Sequence, residues 1–122
     1  MATAVPTEVA PLRRAVVAYA RSTGVEPPVL DKLALAVSEL LTNVVLHAYP
    51  DGRPPGAMAV TAELAGSEMR VAITDDGVGL APDLSPRYGL GLTIAGEVAD
   101  RVELAPAAGG GVEVRLVFAA RG

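Results

Sequence analysis

The spacing of apolar residues changes along the chain, and the predicted elements follow from that change. Val9, Leu12, Val16 and Tyr19 recur three and four apart, which gives one apolar face to a helix over 7–23. Thr7 suits its N-terminal cap, Glu8 suits its positive end and Gly24 stops it. Pro27 and Pro28 fit the first turn of a second, longer helix that runs to Tyr49, where Tyr49-Pro50-Asp51-Gly52 breaks it. The period then becomes two. Met58, Val60, Ala62 and Leu64 alternate, Gly66-Ser67 makes a tight turn, and Met69, Val71 and Ile73 resume the alternation, which predicts a hairpin. Residues 75–88 read as a loop, and 89–100 as a short third helix. Residues 101–105 and 112–118 form a second hairpin, with Val112, Val114, Leu116 and Phe118 on one face. Two hairpins separated by a helix, with helices stacked on one side, predict a two-layer α/β sandwich in which three helices cover one face of a mixed sheet of about four strands.

The second helix carries an anomaly. In "SELLTNVVLHAY", residues 38–49, the polar residues Glu39, Asn43 and His47 stand four apart among leucines and valines. Residues four apart are offset by roughly 40°, so the three share one face. That face is either a solvated polar margin or the lining of a site. A carboxylate can serve as a general base, and an amide oxygen is a hard ligand suited to Mg²⁺.

Composition narrows the choice. The 122 residues suffice for one domain over 1–122, and 51% are hydrophobic with 20% charged, a globular mixture. With three tyrosines, one phenylalanine and no tryptophan, the core must be aliphatic. A net charge of −4 argues against nucleic acid or an anionic membrane as the main partner. The lack of cysteine excludes thiolate catalysis and thiolate metal sites, and it fits a reducing cytoplasm. No apolar run approaches the roughly 20 residues of a membrane span, and the N-terminus shows no basic start followed by an apolar stretch.

Two further motifs carry candidate chemistry. "TDDGVGL", residues 74–80, places Asp75 at a strand end with Gly77 and Gly79 in the turn behind it. It reads equally as an ordinary Asp-Gly turn or as a loop whose backbone comes close to a ligand. "YGLGLTIAGEVAD", residues 88–100, places Gly89, Leu90 and Gly91 at the expected start of the third helix, where free N–H groups favour phosphate; close helix packing also accounts for it. The spacing lacks the third glycine of a dinucleotide fingerprint, and the only lysine, Lys32, belongs to no phosphate-binding Gly-Lys-Ser/Thr motif.

Taken in order, a Glu/Asn helix, a strand ending in Asp-x-Gly-x-Gly, and Gly-x-Gly ahead of a helix resemble the N, G1 and G2 boxes of the GHKL ATPases. That superfamily, with its histidine kinase-like ATPase domain, takes in gyrase, heat-shock chaperone, histidine kinase and mismatch-repair ATPases. Glu39, Asn43, His47, Ala48 and Tyr49 match most nearly the N box of the small anti-sigma factor serine/threonine kinases. The likeness extends over about 9–118. It implies an ATP site in which Asn43 holds Mg²⁺, Glu39 activates the attacking hydroxyl and Asp75 accepts the adenine amino group. Gly77 and Gly79 would shape the adenine wall, and Gly89, Leu90 and Gly91 would offer backbone to the phosphates. It further implies a kinase that phosphorylates an anti-anti-sigma partner and sequesters a sigma factor, with a homodimer also allowed.

Two other readings stand beside this one. A non-catalytic module could use ATP only to set its choice of partner, and a fragment of a histidine kinase would need a phosphoacceptor helix pair for which the chain has no room. The chain also departs from the family pattern. Its lid, 80–88, is short, with Arg87 as its one cation and candidate phosphate contact. Gly109-Gly110-Gly111 is followed by Val112, where relatives often have threonine. Residues 1–5 barely supply the strand that opens most relatives, so that the sheet edge is either shorter or completed by a partner.

Overall fold

The computed structural model describes residues 2–49, 53–77, 85–108 and 110–121, with side chains of 85–91 left undescribed. Strand β1 (Ala2–Thr3) leads through a 3₁₀ turn at Pro6–Glu8 into helix α1 (Val9–Ser22) and helix α2 (Pro27–His47). Strands β2 (Ala57–Ala65) and β3 (Glu68–Asp75) form the first hairpin. Helix α3 (Ser85–Val98) then leads to the second hairpin, β4 (Arg101–Pro106) and β5 (Val112–Ala119).

The sheet runs β1-β2-β3-β5-β4. The expected sandwich is present, with two differences from the mixed four-stranded sheet. A fifth strand exists, since Ala2 pairs with Met58 and Thr3 with Ala57, and every pairing is antiparallel. The reason is topological. β3 and β4 point the same way, as the α3 crossover requires, but β5 lies between them, so their parallel relation never becomes a ladder.

The register puts the alternating apolar residues on one face. Val60 stands opposite Ile73, Leu64 opposite Met69, Met69 opposite Phe118, and Val102 and Val71 flank Leu116. The helices cover this face, α1 against β2, α2 against β3 and β5, and α3 against β4. Leu33, Leu40, Leu41, Met58, Ile73, Leu116 and Phe118 are fully buried there. The opposite face is polar, with Glu63 opposite Arg70 and Glu103 opposite Arg115. The core is aliphatic apart from Phe118.

Several boundaries differ from the sequence reading. Thr7 lies in the 3₁₀ turn and caps nothing; α1 starts two residues later, without a side-chain cap. α2 stops at His47, and α3 stops at Val98. The largest correction is at the start of α3. The helix begins at Ser85, so the loop expected over 75–88 is shorter and Gly89 does not open the helix. Pro86 explains the difference: proline suits a first helical turn as well as a loop, and here it occupies the turn.

Candidate functional site

The polar stripe of α2 grades from half-buried to exposed. Glu39 and Asn43 are half-buried and His47 is open to solvent. Asn43 Nδ2 is fully shielded yet has no hydrogen-bond partner among the described residues. A buried amide donor left unpaired costs about 1–3 kcal/mol, and a phosphate oxygen is an acceptor that could take it up. The Glu39 side chain, one turn earlier, makes no hydrogen bond or ion pair among the described residues.

Asp75 ends β3 on the core side, opposite Met58, and is the only buried charged residue among those described, at 5% exposed. Its Oδ1 accepts the Gly77 N–H at 2.9 Å, which turns the chain sharply after the strand. Gly77 comes so near the end of α2 that an added Cβ would lie 2.3 Å from the Ala48 carbonyl oxygen. This glycine is required by close approach.

Gly111 takes no role in the sequence reading, which notes only that Val112 follows the three glycines. The structure brings it against the site. Its φ of +77° is left-handed, and an added Cβ would sit 2.0 Å from the Asp75 carbonyl oxygen and 2.8 Å from its Oδ1. Gly110 is also left-handed, at φ +93°, but has nothing within 4 Å. Gly111→Ala should therefore lower the unfolding free energy by about 2–4 kcal/mol, through strain plus a clash with backbone that cannot yield. Gly110→Ala should cost only the strain, about 1–2 kcal/mol. Urea unfolding of both variants checks this, and equal losses would mean that the turn does not press on Asp75.

Tyr49 and Asp76 are a second pair that sequence reading missed. The Tyr49 hydroxyl donates to Asp76 Oδ1 at 2.6 Å and lies 3.0 Å from the Ala57 carbonyl oxygen, while the Ala57 N–H donates to the same Oδ1 at 3.0 Å. The Tyr49 hydrogen bond holds the Asp76 carboxyl below its usual range, helped by the Ala57 N–H. Burial, and then the bond to Asp76, push the Tyr49 phenol well above its usual value. Only the adjacency of Asp75 and Asp76 and the Ala-Tyr ending of the N box hint at this pair in the sequence.

The remaining candidates are less fully placed. Gly79 and 80–84 lie outside the described residues. Arg87, Gly89, Leu90 and Gly91 belong to α3, but with the helix starting at Ser85 the glycines fall in its second turn, where N–H groups are already inside the helical ladder. The donors of the first turn belong to Ser85 and Arg87, since Pro86 has none. A cleft of about 360 Å³ opens at the sheet end beside Met58, Asp75, Asp76 and Gly110. A larger groove of about 410 Å³ crosses the polar face of the sheet past Glu63, Arg70 and Arg115 and touches none of the candidate residues; it follows from the open sheet surface.

These residues fit a nucleotide with its metal. A buried carboxylate hedged by two close-packed glycines suits an adenine edge; the unpaired Asn43 Nδ2 is a donor that suits a phosphate oxygen, and its amide oxygen is the atom that could face a metal. No cluster of three or more His, Asp or Glu occurs among the described residues, so Asn43 would share a metal with phosphates and water.

A family model described as a histidine kinase-like ATPase domain matches residues 2–118. An anti-sigma F factor from Clostridium beijerinckii is 30% identical over 103 residues, covering 71% of this chain and 71% of that protein. Another, from Shouchella clausii, is 35% identical over 78 residues, covering 53% and 52%. Among solved structures, the histidine kinase domain of the Erythrobacter litoralis blue-light-activated histidine kinase superposes with a TM-score of 0.62 at 25% identity. The match covers 75% of this chain and 45% of that one. The chain thus spans less than half of the solved histidine kinase domain and about half of the Shouchella relative.

Proposed function

The chain belongs to the histidine kinase-like ATPase domain family, and from that premise we propose that it is an anti-sigma regulatory serine/threonine kinase. It would bind ATP with Mg²⁺, phosphorylate an anti-anti-sigma protein and sequester a sigma factor. Those partners would place its work in the cytoplasm. Among the described residues, no helix is long and apolar enough to cross a membrane. The partners are suggested by relatives named anti-sigma F factor. The ATP site is supported chiefly by the buried amide nitrogen of Asn43, which has no partner among the described residues and lies one turn from Glu39.

Each residue has a distinct task. Asp75 accepts the adenine amino group, and Gly77 and Gly111 let the backbone close around that carboxylate. Asn43 would hold Mg²⁺ through its amide oxygen; the bound ion supplies charge neutralisation at the phosphates. Glu39 takes the proton of a serine or threonine hydroxyl as its oxygen bonds to the γ-phosphorus, while the bond from that phosphorus to the bridging oxygen breaks and ADP leaves.

The start of α3 favours a second reading, a module that binds ATP without transferring phosphate. The last four of the nine residues expected to form the lid, 85–88, belong to α3 instead. Incubation with γ-labelled ATP, Mg²⁺ and antagonist proteins from the same genome separates the two readings. Label on a serine or threonine of an antagonist supports the kinase; binding without label supports the module.

A further inference from the structure

The C-terminal end of α2 touches the Asp75 loop at two points, and the proposed chemistry gives no task to the second. One is the contact of Ala48 with Gly77, too close for any side chain between them. The other is the hydrogen bond from Tyr49 to Asp76. We infer that the Tyr49–Asp76 pair is a positioning device that fixes the spacing between the adenine subsite at Asp75 and the metal subsite at Asn43. The inference rests on the nucleotide-site reading above.

The geometry connects the two subsites through few bonds. Asn43 lies five residues before Ala48, about 7.5 Å along the axis of the same helix. Asp76 is covalently next to Asp75. One side-chain hydrogen bond therefore joins the end of the element carrying the amide to the loop carrying the carboxylate. Two contact points fix a direction as well as a distance, which one could not do.

The device is anchored on a third element. The Ala57 N–H donates to Asp76 Oδ1, and the Asp76 N–H donates to the Ala57 carbonyl oxygen at 3.3 Å, so the loop continues the β2–β3 ladder by one step. Gly56 fills the remaining space: a Cβ there would lie 2.1 Å from Asp76 Oδ1 and 2.8 Å from Tyr49 Cε1. The pair is thus clamped from the side of the strand. A nucleotide can span only a limited range of distances between base and phosphates, so the spacing of the subsites bears on whether both are engaged together without strain. A misplacement of about 1 Å can cost 10²-fold in a positioned reaction.

Calorimetry with three probes tests the inference: adenosine, ADP with Mg²⁺, and ADP with the metal chelated. Adenosine reports the adenine subsite alone, and the gain of ADP on adding Mg²⁺ reports the joint engagement. Tyr49→Phe and Asp76→Ala should keep adenosine affinity within about twofold while losing roughly 5–10-fold of the Mg²⁺-dependent gain. Asp76→Asn should restore that gain, because its amide oxygen still accepts both donors. The double variant Tyr49→Phe/Asp76→Ala should be no worse than the weaker single variant. A merely structural role would lower the melting temperature and weaken adenosine and ADP alike. An undiminished Mg²⁺ gain in Tyr49→Phe, or equal losses for adenosine and ADP, overturns the inference while leaving the nucleotide site standing. A wild-type protein that binds none of the probes overturns both.

Discussion

Glu39→Ala is expected to bind ATP within about twofold of the wild-type protein and to transfer phosphate roughly 10²–10⁴-fold more slowly. The separation follows from where the residue stands. Glu39 lies one helical turn before Asn43 on the same stripe, and the proposed mechanism gives it the proton of the attacking hydroxyl and no phosphate contact. It is half-buried and has no partner among the described residues, so its removal leaves nothing unpaired, and stability should stay within about 0.5 kcal/mol of wild type. Single-turnover transfer to an antagonist, measured beside calorimetry, is the check. Transfer at the normal rate would return Glu39 to the role of a solvated polar margin.

Asp75→Asn carries the second large effect. The carboxylate is the one buried charge among the described residues, and the proposed site has it accept the adenine amino group. An asparagine keeps the shape and can still accept the Gly77 N–H through its oxygen, so the turn should hold. The asparagine can, however, turn an NH₂ toward the adenine amino group, donor against donor. Leaving a buried group unpaired costs about 1–3 kcal/mol, and adenine nucleotide affinity should therefore fall about 10–100-fold. Unchanged ADP affinity in a folded variant would remove Asp75 from the adenine subsite.

The parts of the fold that were legible in the sequence are those governed by local period. The alternation of Met58 to Leu64 and Met69 to Ile73, divided by Gly66-Ser67, gave the first hairpin within a residue or two, and Gly66 adopts the positive φ that such a turn uses. The polar stripe of α2 was legible because Glu39, Asn43 and His47 stand four apart, though the exposure of Leu35 and Leu46 on the same helix was not. β1 was not, because two residues carry no period and its pairing with Met58 and Ala57 is a long-range fact. The start of α3 was misplaced because Pro86 fits a loop and a first helical turn equally well. Within the site, ordered motifs pointed to Glu39, Asn43 and Asp75. Gly111 and the Tyr49–Asp76 pair were hidden, since each matters through a partner brought near only by the fold, 36 residues away for Gly111 and 27 for Tyr49.

The central claim is that the α2 stripe and the end of β3 form one nucleotide site in which Asn43 reads the metal. Its most direct test is calorimetric titration of the wild-type protein and Asn43→Ala with ADP, with and without Mg²⁺. The account expects wild-type binding that weakens when Mg²⁺ is chelated, and residual binding by Asn43→Ala that is indifferent to the ion. Wild-type affinity unaffected by chelation, or an undiminished Mg²⁺ response in Asn43→Ala, would contradict it.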